Sequence, residues 1–229
     1  MKIHGLQKMT LLDYPGRVAC TVFLGGCDFR CPFCHNAEIL DAGAPAETDD
    51  GALLKFLEKR TGLLDGVVIT GGEPLLRPDI DELIEKIHAL GYPVKLDTNG
   101  NHPAMLKKLV GAGLIDYVAM DVKNGPSRYA ETVGLADFDM SAVRESIDFL
   151  LGGAVDYEFR TTVVKELHDE QSFAEIGKLI RGAKRYYLQC FTDRDTVLFA
   201  GLHAPEKETL ERYAEIVGPY VKSVELRGI

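Results

Sequence analysis

The chain has 229 residues, of which 46% are hydrophobic and 27% charged, a balance typical of one large globular α/β domain. Its net charge of −9 and the absence of basic runs longer than a pair such as Lys107-Lys108 exclude direct nucleic-acid binding. No apolar run approaches the ~18 residues that span a bilayer, and an odd number of cysteines argues against a disulfide framework. These features predict a protein of the reducing cytoplasm that does not enter membranes.

Strands and helices alternate along the chain. The predicted strands cover residues 2–7, 17–24, 67–70, 94–97, 117–121, 157–164, 185–190 and 221–226, and the first two are expected to pair across a turn at 13–16. The predicted helices cover 48–60, 79–90, 103–110, 139–151, 172–181 and 206–217, with Thr48 and Asp139 as caps of two of them.

This alternation of continuous apolar strands with helices predicts a mainly parallel sheet with helices outside. About six βα units are too few for a closed eightfold barrel, and the pattern alone leaves a doubly wound sheet open. No repeat, low-complexity tract or linker interrupts it. We therefore expect residues 1–229 to form a single domain.

Three cysteines, Cys27, Cys31 and Cys34, stand in the string GCDFRCPFCHN with the spacing C-x3-C-x2-C. Three thiolates this close can hold a cubic iron–sulfur cluster by three irons and leave the fourth iron open for chemistry. A zinc knuckle or an electron-transfer cluster is the alternative, but both usually need four ligands. His35 follows Cys34 directly, and adjacent residues rarely reach the same ion.

Polar and glycine-rich motifs follow successive predicted strands. The cysteine loop follows the strand at 17–24, and the next strands lead to Gly71, Gly72, Glu73 and Pro74, to Asp97, Thr98 and Asn99, to Asp121 and Lys123, and to Arg160. Each motif alone has an ordinary reading, as a glycine or Asn-Gly turn, a surface ion pair or an exposed arginine. Because α/β barrels place their chemistry at the carboxyl ends of strands, the shared position predicts one common site.

The string CDFRCPFCHN resembles the cluster loop of radical S-adenosylmethionine (SAM) enzymes. Together with the opening LQKMTLLDYPGRVACTVFLGGC, the chain is similar to glycyl-radical-enzyme activating enzymes, and most of all to those of anaerobic ribonucleoside-triphosphate reductase. The resemblance extends over essentially the whole chain. It implies a partial (βα)6 TIM-type barrel, the radical SAM core, open on one side.

The same resemblance implies an activity. A [4Fe–4S] cluster on the three cysteines would cleave SAM reductively, and the resulting 5′-deoxyadenosyl radical would remove hydrogen from a glycine of the partner enzyme. The implied partners are a glycyl-radical enzyme, with anaerobic ribonucleoside-triphosphate reductase expected, and a flavodoxin or ferredoxin as electron donor. An open cluster of this kind also implies a setting poor in oxygen.

The resemblance further implies roles for single residues. The backbone of Gly71 and Gly72, in the GGEP motif with Pro74, would hold the SAM ammonium group, and Glu73 would supply a carboxylate. Phe33 would lie against the adenine, with His35 beside it in the cofactor-binding loop.

Three further motifs receive roles in the same way. Asp97, Thr98 and Asn99 would contact ligand hydroxyl groups, and the first two could bind a monovalent cation together with Asp121. The other two residues with implied roles are basic. Lys123 would pair with the SAM carboxylate or a neighbouring acid, and Arg160 would face the pocket.

Two other readings stay open at the level of sequence. One is a radical SAM enzyme that acts on a small molecule, and within the activases pyruvate formate-lyase or another glycyl-radical enzyme is an alternative partner. The other is a non-catalytic zinc or iron–sulfur module. Among the residues outside these motifs, Cys20 is expected to be a buried small hydrophobe, Cys190 to face the cavity, and His168 and His203 to lie on the surface.

Overall fold

The computed structural model describes all residues from 1 to 229. Its strands are β1 (Lys2–Ile3), β2 (Gly5–Thr10), β3 (Ala19–Leu24), β4 (Thr48–Asp49), β5 (Gly66–Gly71), β6 (Val94–Thr98), β7 (Tyr117–Asp121), β8 (Asp156–Val163), β9 (Tyr186–Cys190) and β10 (Val224–Arg227). Its helices are α1 (Asp50–Glu58), α2 (Ile80–Ala89), α3 (Pro103–Gly111), α4 (Tyr129–Val133), α5 (Ser141–Leu151), α6 (Glu170–Leu179) and α7 (Lys207–Val217).

Eight of the strands form one sheet in the order β10–β9–β8–β7–β6–β5–β3–β2. All neighbours are parallel except β2, which runs antiparallel to β3 as the sequence predicts. The two outer strands, β2 and β10, do not pair with each other, so the sheet stays open on one side. The predicted α/β class with a partial, mainly parallel barrel and helices outside is confirmed.

The core forms between this sheet and the helices, because both present apolar faces to each other. In α2 the buried residues recur at helical spacing: Ile80, Leu83, Ile84 and Ile87. In β3 the run ACTVFL is buried at nearly every position, as expected for a strand covered on both faces. Parallel packing brings the carboxyl ends of β3 and β5–β9 to one edge, where the motifs lie.

The predicted elements are found with small shifts of their ends, and both predicted caps are wrong. Met140, not Asp139, is the N-cap of α5, although the Asp139 carboxylate accepts a hydrogen bond of 2.9 Å from the Ser141 N–H. Thr48 lies in β4, where it pairs with Ile3 of β1, so it cannot begin the helix. Asp49 caps α1 instead, because its carboxylate accepts a hydrogen bond of 2.8 Å from the Ala52 N–H. The short helix α4 was not predicted. None of the helices combines the length and the apolar character that a membrane span requires.

Candidate active site

A cavity of about 250 Å³ opens at the carboxyl edge of the parallel strands. Most of the predicted site residues line it: Cys27, Cys31, Phe33, Cys34, His35, Gly71, Gly72, Asp97, Thr98, Asn99, Asp121, Lys123 and Arg160. Glu73 and Pro74 are buried and are not among the lining residues. The structure thus brings motifs from five strands to one space.

The cysteine loop between β3 and the chain segment at 37–39 forms one wall of the cavity. Its three thiols are free of disulfides and face the same space. Burial raises the pKa of Cys27 to about 12 and that of Cys31 to about 11. Before a cluster binds, the thiols of Cys27 and Cys31 are therefore neutral at pH 7, and cluster binding has to displace their protons.

The Gly71-Gly72 turn packs directly on the backbone that leads into the cysteine loop. The Gly72 N–H donates to the Leu24 carbonyl oxygen over 2.8 Å, and the Glu73 N–H donates to the Gly26 carbonyl oxygen over 2.7 Å. Gly71 has a φ of +126°, and a Cβ there would lie 2.2 Å from the Leu24 oxygen. Only glycine fits this contact, which explains the motif without reference to a ligand.

Glu73 lies behind the cavity wall and fixes two loops to each other. One carboxylate oxygen accepts from the Leu75 N–H over 3.0 Å and from the Thr98 hydroxyl over 2.8 Å. The other accepts from the Asn99 N–H over 2.7 Å. The side chain is fully buried, and this burial, partly offset by the three donors, raises the pKa of Glu73 to about 7.

The raised pKa of Glu73 predicts a pH-dependent stability. The unfolded chain releases this proton near the ordinary glutamate pKa of 4.5, whereas the folded chain keeps it until about pH 7. Folding stability should therefore fall as pH rises from 5 to 8. In denaturant titrations of the protein without its cluster, Glu73→Gln should flatten this slope. An unchanged slope in the variant would contradict the assignment to Glu73.

A chain of five charged side chains crosses the floor of the cavity from β6 to β8. The register of β7 and β8 sets Asp121 opposite Arg160, whose Nε donates to Asp121 Oδ1 over 2.9 Å. Arg160 Nη1 donates to Asp97 Oδ2 over 3.0 Å, and Lys123 Nζ donates to Asp121 Oδ2 over 2.8 Å. The buried Lys95 donates to the remaining oxygen of Asp97.

Within this group of five side chains, neighbouring charges of opposite sign stabilise each other's ionised forms. Burial opposes ionisation of Asp121, but Arg160 and Lys123 outweigh it and hold the Asp121 pKa well below its usual range. Burial also opposes the charged forms of the two cations, and Asp121 outweighs it, so the pKa of each lies above its usual range. These three groups therefore remain charged at any working pH.

Asp28, which lies between two of the cysteines, ties the cysteine loop to the segment after β6. Its carboxylate accepts from Asn99 Nδ2 over 2.9 Å and from Asn101 Nδ2 over 2.6 Å, and it pairs with His102 Nε2 over 3.0 Å. Burial would raise the Asp28 pKa, but these three partners lower it to about 2. This role was not predicted from the sequence, although an acid inside the cysteine motif was a visible signal.

The aromatic end of the cysteine loop faces the far side of the cavity. The ring centroid of Phe33 lies 6.0 Å from Lys123 Nζ, and the Phe33 side chain is buried. His35 Nε2 lies 2.7 Å from the Thr192 carbonyl oxygen, and its ring stacks on Phe191 at 5.5 Å between centroids. His35 thus joins the cysteine loop to the segment that follows β9.

Comparison with known proteins identifies the family to which the chain belongs. The family description "Radical SAM superfamily" matches residues 21–182. The chain belongs to the radical SAM superfamily. A Methanocaldococcus jannaschii protein named "Putative glycyl-radical enzyme activating enzyme" is 32% identical over 235 residues, which cover 99% of this chain and 96% of that protein. This radical SAM enzyme therefore belongs to the family of glycyl-radical-enzyme activating enzymes.

Two further similarities are more limited. The pyruvate formate-lyase-activating enzyme of Clostridium pasteurianum is 31% identical over 132 residues, covering 54% of this radical SAM chain and 52% of that enzyme. The crystal structure of Streptococcus suis SuiB bound to its precursor peptide SuiA superposes with a TM-score of 0.69 at 16% identity. It covers 91% of this chain and 48% of that one, and at this identity the likeness shows the fold alone.

Membership of the radical SAM superfamily implies a [4Fe–4S] cluster and SAM, and the donor set fits the cluster. Nowhere in the chain do three His, Cys, Asp or Glu side chains converge as ligands of a single metal ion do. A cubic cluster carries its irons on separate corners, so its ligands surround it without converging. Three free thiols around one cavity suit this arrangement and disfavour a zinc knuckle.

Several residues that line the cavity were not predicted from the sequence. They are Phe29, Asn36, Leu40, Thr70, Thr162 and Gln189. Asn36 ends the CHN string, and its Nδ2 donates to the Gly71 carbonyl oxygen over 2.8 Å. Thr162 and Gln189 are polar residues near the ends of β8 and β9, and this position in the sequence could have identified them as cavity residues.

The structure also bears on four residues outside the motifs. Cys20 is fully buried, as predicted. Cys190 does not line the cavity, because alternation along β9 turns Gln189 toward it instead. His168 is buried rather than on the surface, since its ring bonds the backbone of Val164 and Lys123. His203 is exposed and pairs with Glu166 at 2.7 Å.

Proposed function

We propose that this protein is an activase that installs a glycyl radical on anaerobic ribonucleoside-triphosphate reductase. Cys27, Cys31 and Cys34 would hold the [4Fe–4S] cluster, and SAM would occupy the cavity beside it. The observation that carries the proposal is the full-length similarity to a glycyl-radical-enzyme activating enzyme, combined with a cavity that gathers the three thiols and the strand-end motifs.

When bound, the cluster and SAM supply the reducing electron and the carbon radical that takes a hydrogen atom from a glycine Cα. The protein side chains bind, orient and shield. Lys123 and Arg160 present positive charge to the cavity, which suits the SAM carboxylate, and Phe33 offers an apolar ring for the adenine. The Gly71-Gly72 backbone would receive the SAM ammonium group.

The choice of ribonucleotide reductase as partner rests on the resemblance of the opening stretch LQKMTLLDYPGRVACTVFLGGC to the activases of that enzyme. A flavodoxin or ferredoxin would deliver the electron. The Clostridium pasteurianum relative is named for pyruvate formate-lyase, and its partial overlap keeps that enzyme as the second candidate partner.

The proposal is tested by electron paramagnetic resonance on a strictly anaerobic mixture. The mixture contains the protein with its iron–sulfur cluster reconstituted, a reductant, SAM and the organism's anaerobic ribonucleotide reductase. A glycyl-type doublet is the expected result. A parallel mixture contains pyruvate formate-lyase, and a doublet only there would move the activity to that partner. Formation of 5′-deoxyadenosine without a doublet in either mixture would point to a small-molecule substrate.

A further inference from the structure

Every carboxylate oxygen of Asp97 and Asp121 on the cavity floor already accepts a hydrogen bond from a cationic side chain. Asp97 uses its oxygens for Lys95 and for Arg160 Nη1, the latter over 3.0 Å. Asp121 uses its oxygens for Arg160 Nε over 2.9 Å and for Lys123 Nζ over 2.8 Å. Each of the four oxygens thus meets a cation that belongs to the chain itself.

This occupation conflicts with the monovalent-cation site that the sequence resemblance implies at Asp97, Thr98 and Asp121. A sodium or potassium ion needs several oxygen ligands, and here it would have to share every carboxylate oxygen with a lysine or an arginine. The five side chains carry three positive and two negative charges, so the floor is already positive by one unit. A further cation would be repelled, whereas an anionic group would be attracted.

Arg160 is the central element of this arrangement. It bridges the two carboxylates, and only 13% of its side chain is exposed. The register of β7 and β8 fixes it opposite Asp121, so its position does not depend on a ligand. Lys123 lines the same cavity and gives only one hydrogen bond to Asp121, which leaves donor capacity for an anion.

We infer that the guanidinium of Arg160 fills the place of a dissociable monovalent cation, so that this protein binds the SAM carboxylate with built-in charges and without sodium or potassium. Removing the guanidinium would leave two facing carboxylates with one oxygen freed on each. That vacancy would accept a monovalent cation. The inference rests on SAM binding in this cavity, as proposed above.

The first test compares SAM binding to the cluster-loaded protein in three salts at equal ionic strength. These are sodium, potassium and tetramethylammonium chloride, the last being too large to enter a coordination site. Calorimetric dissociation constants for the wild type should agree within about twofold. A tenfold or greater gain of affinity in sodium or potassium would overturn the inference. Absence of SAM binding in every salt would instead contradict the proposed function.

A second readout does not depend on SAM or on activity. Titration of sodium into the protein in tetramethylammonium buffer, followed by the sodium-23 line width, should show no saturable broadening for the wild type. Saturable broadening of the wild type that disappears in Asp97→Asn would show a bound ion and overturn the inference.

The variant Arg160→Met should bind SAM in a way that depends on sodium or potassium, unlike the wild type. Its SAM affinity in tetramethylammonium should fall at least tenfold, and sodium or potassium should restore a large part of it. It should also show saturable sodium-23 broadening. The matched control is Arg185→Met, since Arg185 pairs with Asp156 outside the cavity and its loss should leave all three salts equivalent. If Arg160→Met loses the same SAM affinity in sodium, potassium and tetramethylammonium, the inference is contradicted. If this variant does not fold, the wild-type measurements decide.

Discussion

Replacing Cys31 with alanine should leave the protein without a stable cluster and without glycyl-radical formation. The three cysteines supply all the thiols of the loop, so the variant retains two ligands for a cluster that needs three. We expect iron content after reconstitution to fall from about four atoms per chain toward zero. Radical yield, read from the paramagnetic doublet, should fall at least ~100-fold.

The matched control is Cys20→Ala. Cys20 is fully buried in β3 and does not line the cavity, and burial raises the pKa of its thiol to about 12. Its loss should cost roughly 1 kcal/mol of folding stability through a small cavity, with iron content unchanged. Equal iron loss in both variants would show a general folding defect. Wild-type iron content in Cys31→Ala would remove this residue from the ligand set.

The location of the site could be predicted from the sequence because it follows from a rule of parallel sheets. Strand signals such as RVACTVFL and VVIT are strong, and each is followed by a polar motif. Once the strands are parallel, their carboxyl ends must share an edge. The gathering of Cys27, Gly71, Asp97, Asp121 and Arg160 around one cavity needs no further information.

What the sequence did not reveal is which partner each polar side chain chooses. The motif predicts that Glu73 faces the ligand, but three donors from neighbouring loops hold it behind the cavity wall. The sequence pattern predicts that the carboxylates of Asp97 and Asp121 are free to bind a ligand. In the folded chain, however, Arg160 lies between them and donates a hydrogen bond to each. Asp28 meets partners more than 70 residues away. These choices depend on long-range packing, which local patterns do not contain.

Replacing Gly71 with alanine should destabilise the protein and disrupt the site together. Its φ of +126° is unfavourable for any residue with a Cβ, and that Cβ would stand 2.2 Å from the Leu24 carbonyl oxygen and 2.4 Å from the Leu24 nitrogen. The neighbouring atoms belong to β3 and cannot move without displacing the start of the cysteine loop. Conformational strain and overlap together should cost at least about 3 kcal/mol of folding free energy.

Gly91→Ala separates the two causes. Gly91 also has a positive φ, +87°, but a Cβ added there would meet no atom within 4 Å. Gly91→Ala should therefore lower the folding free energy only by the conformational contribution of about 1–2 kcal/mol, and SAM affinity and iron content should be unchanged. Denaturant titration and SAM calorimetry on both variants provide the measurement. Equal destabilisation, with SAM binding intact in Gly71→Ala, would mean that the close contact between the glycine turn and β3 does not position the site.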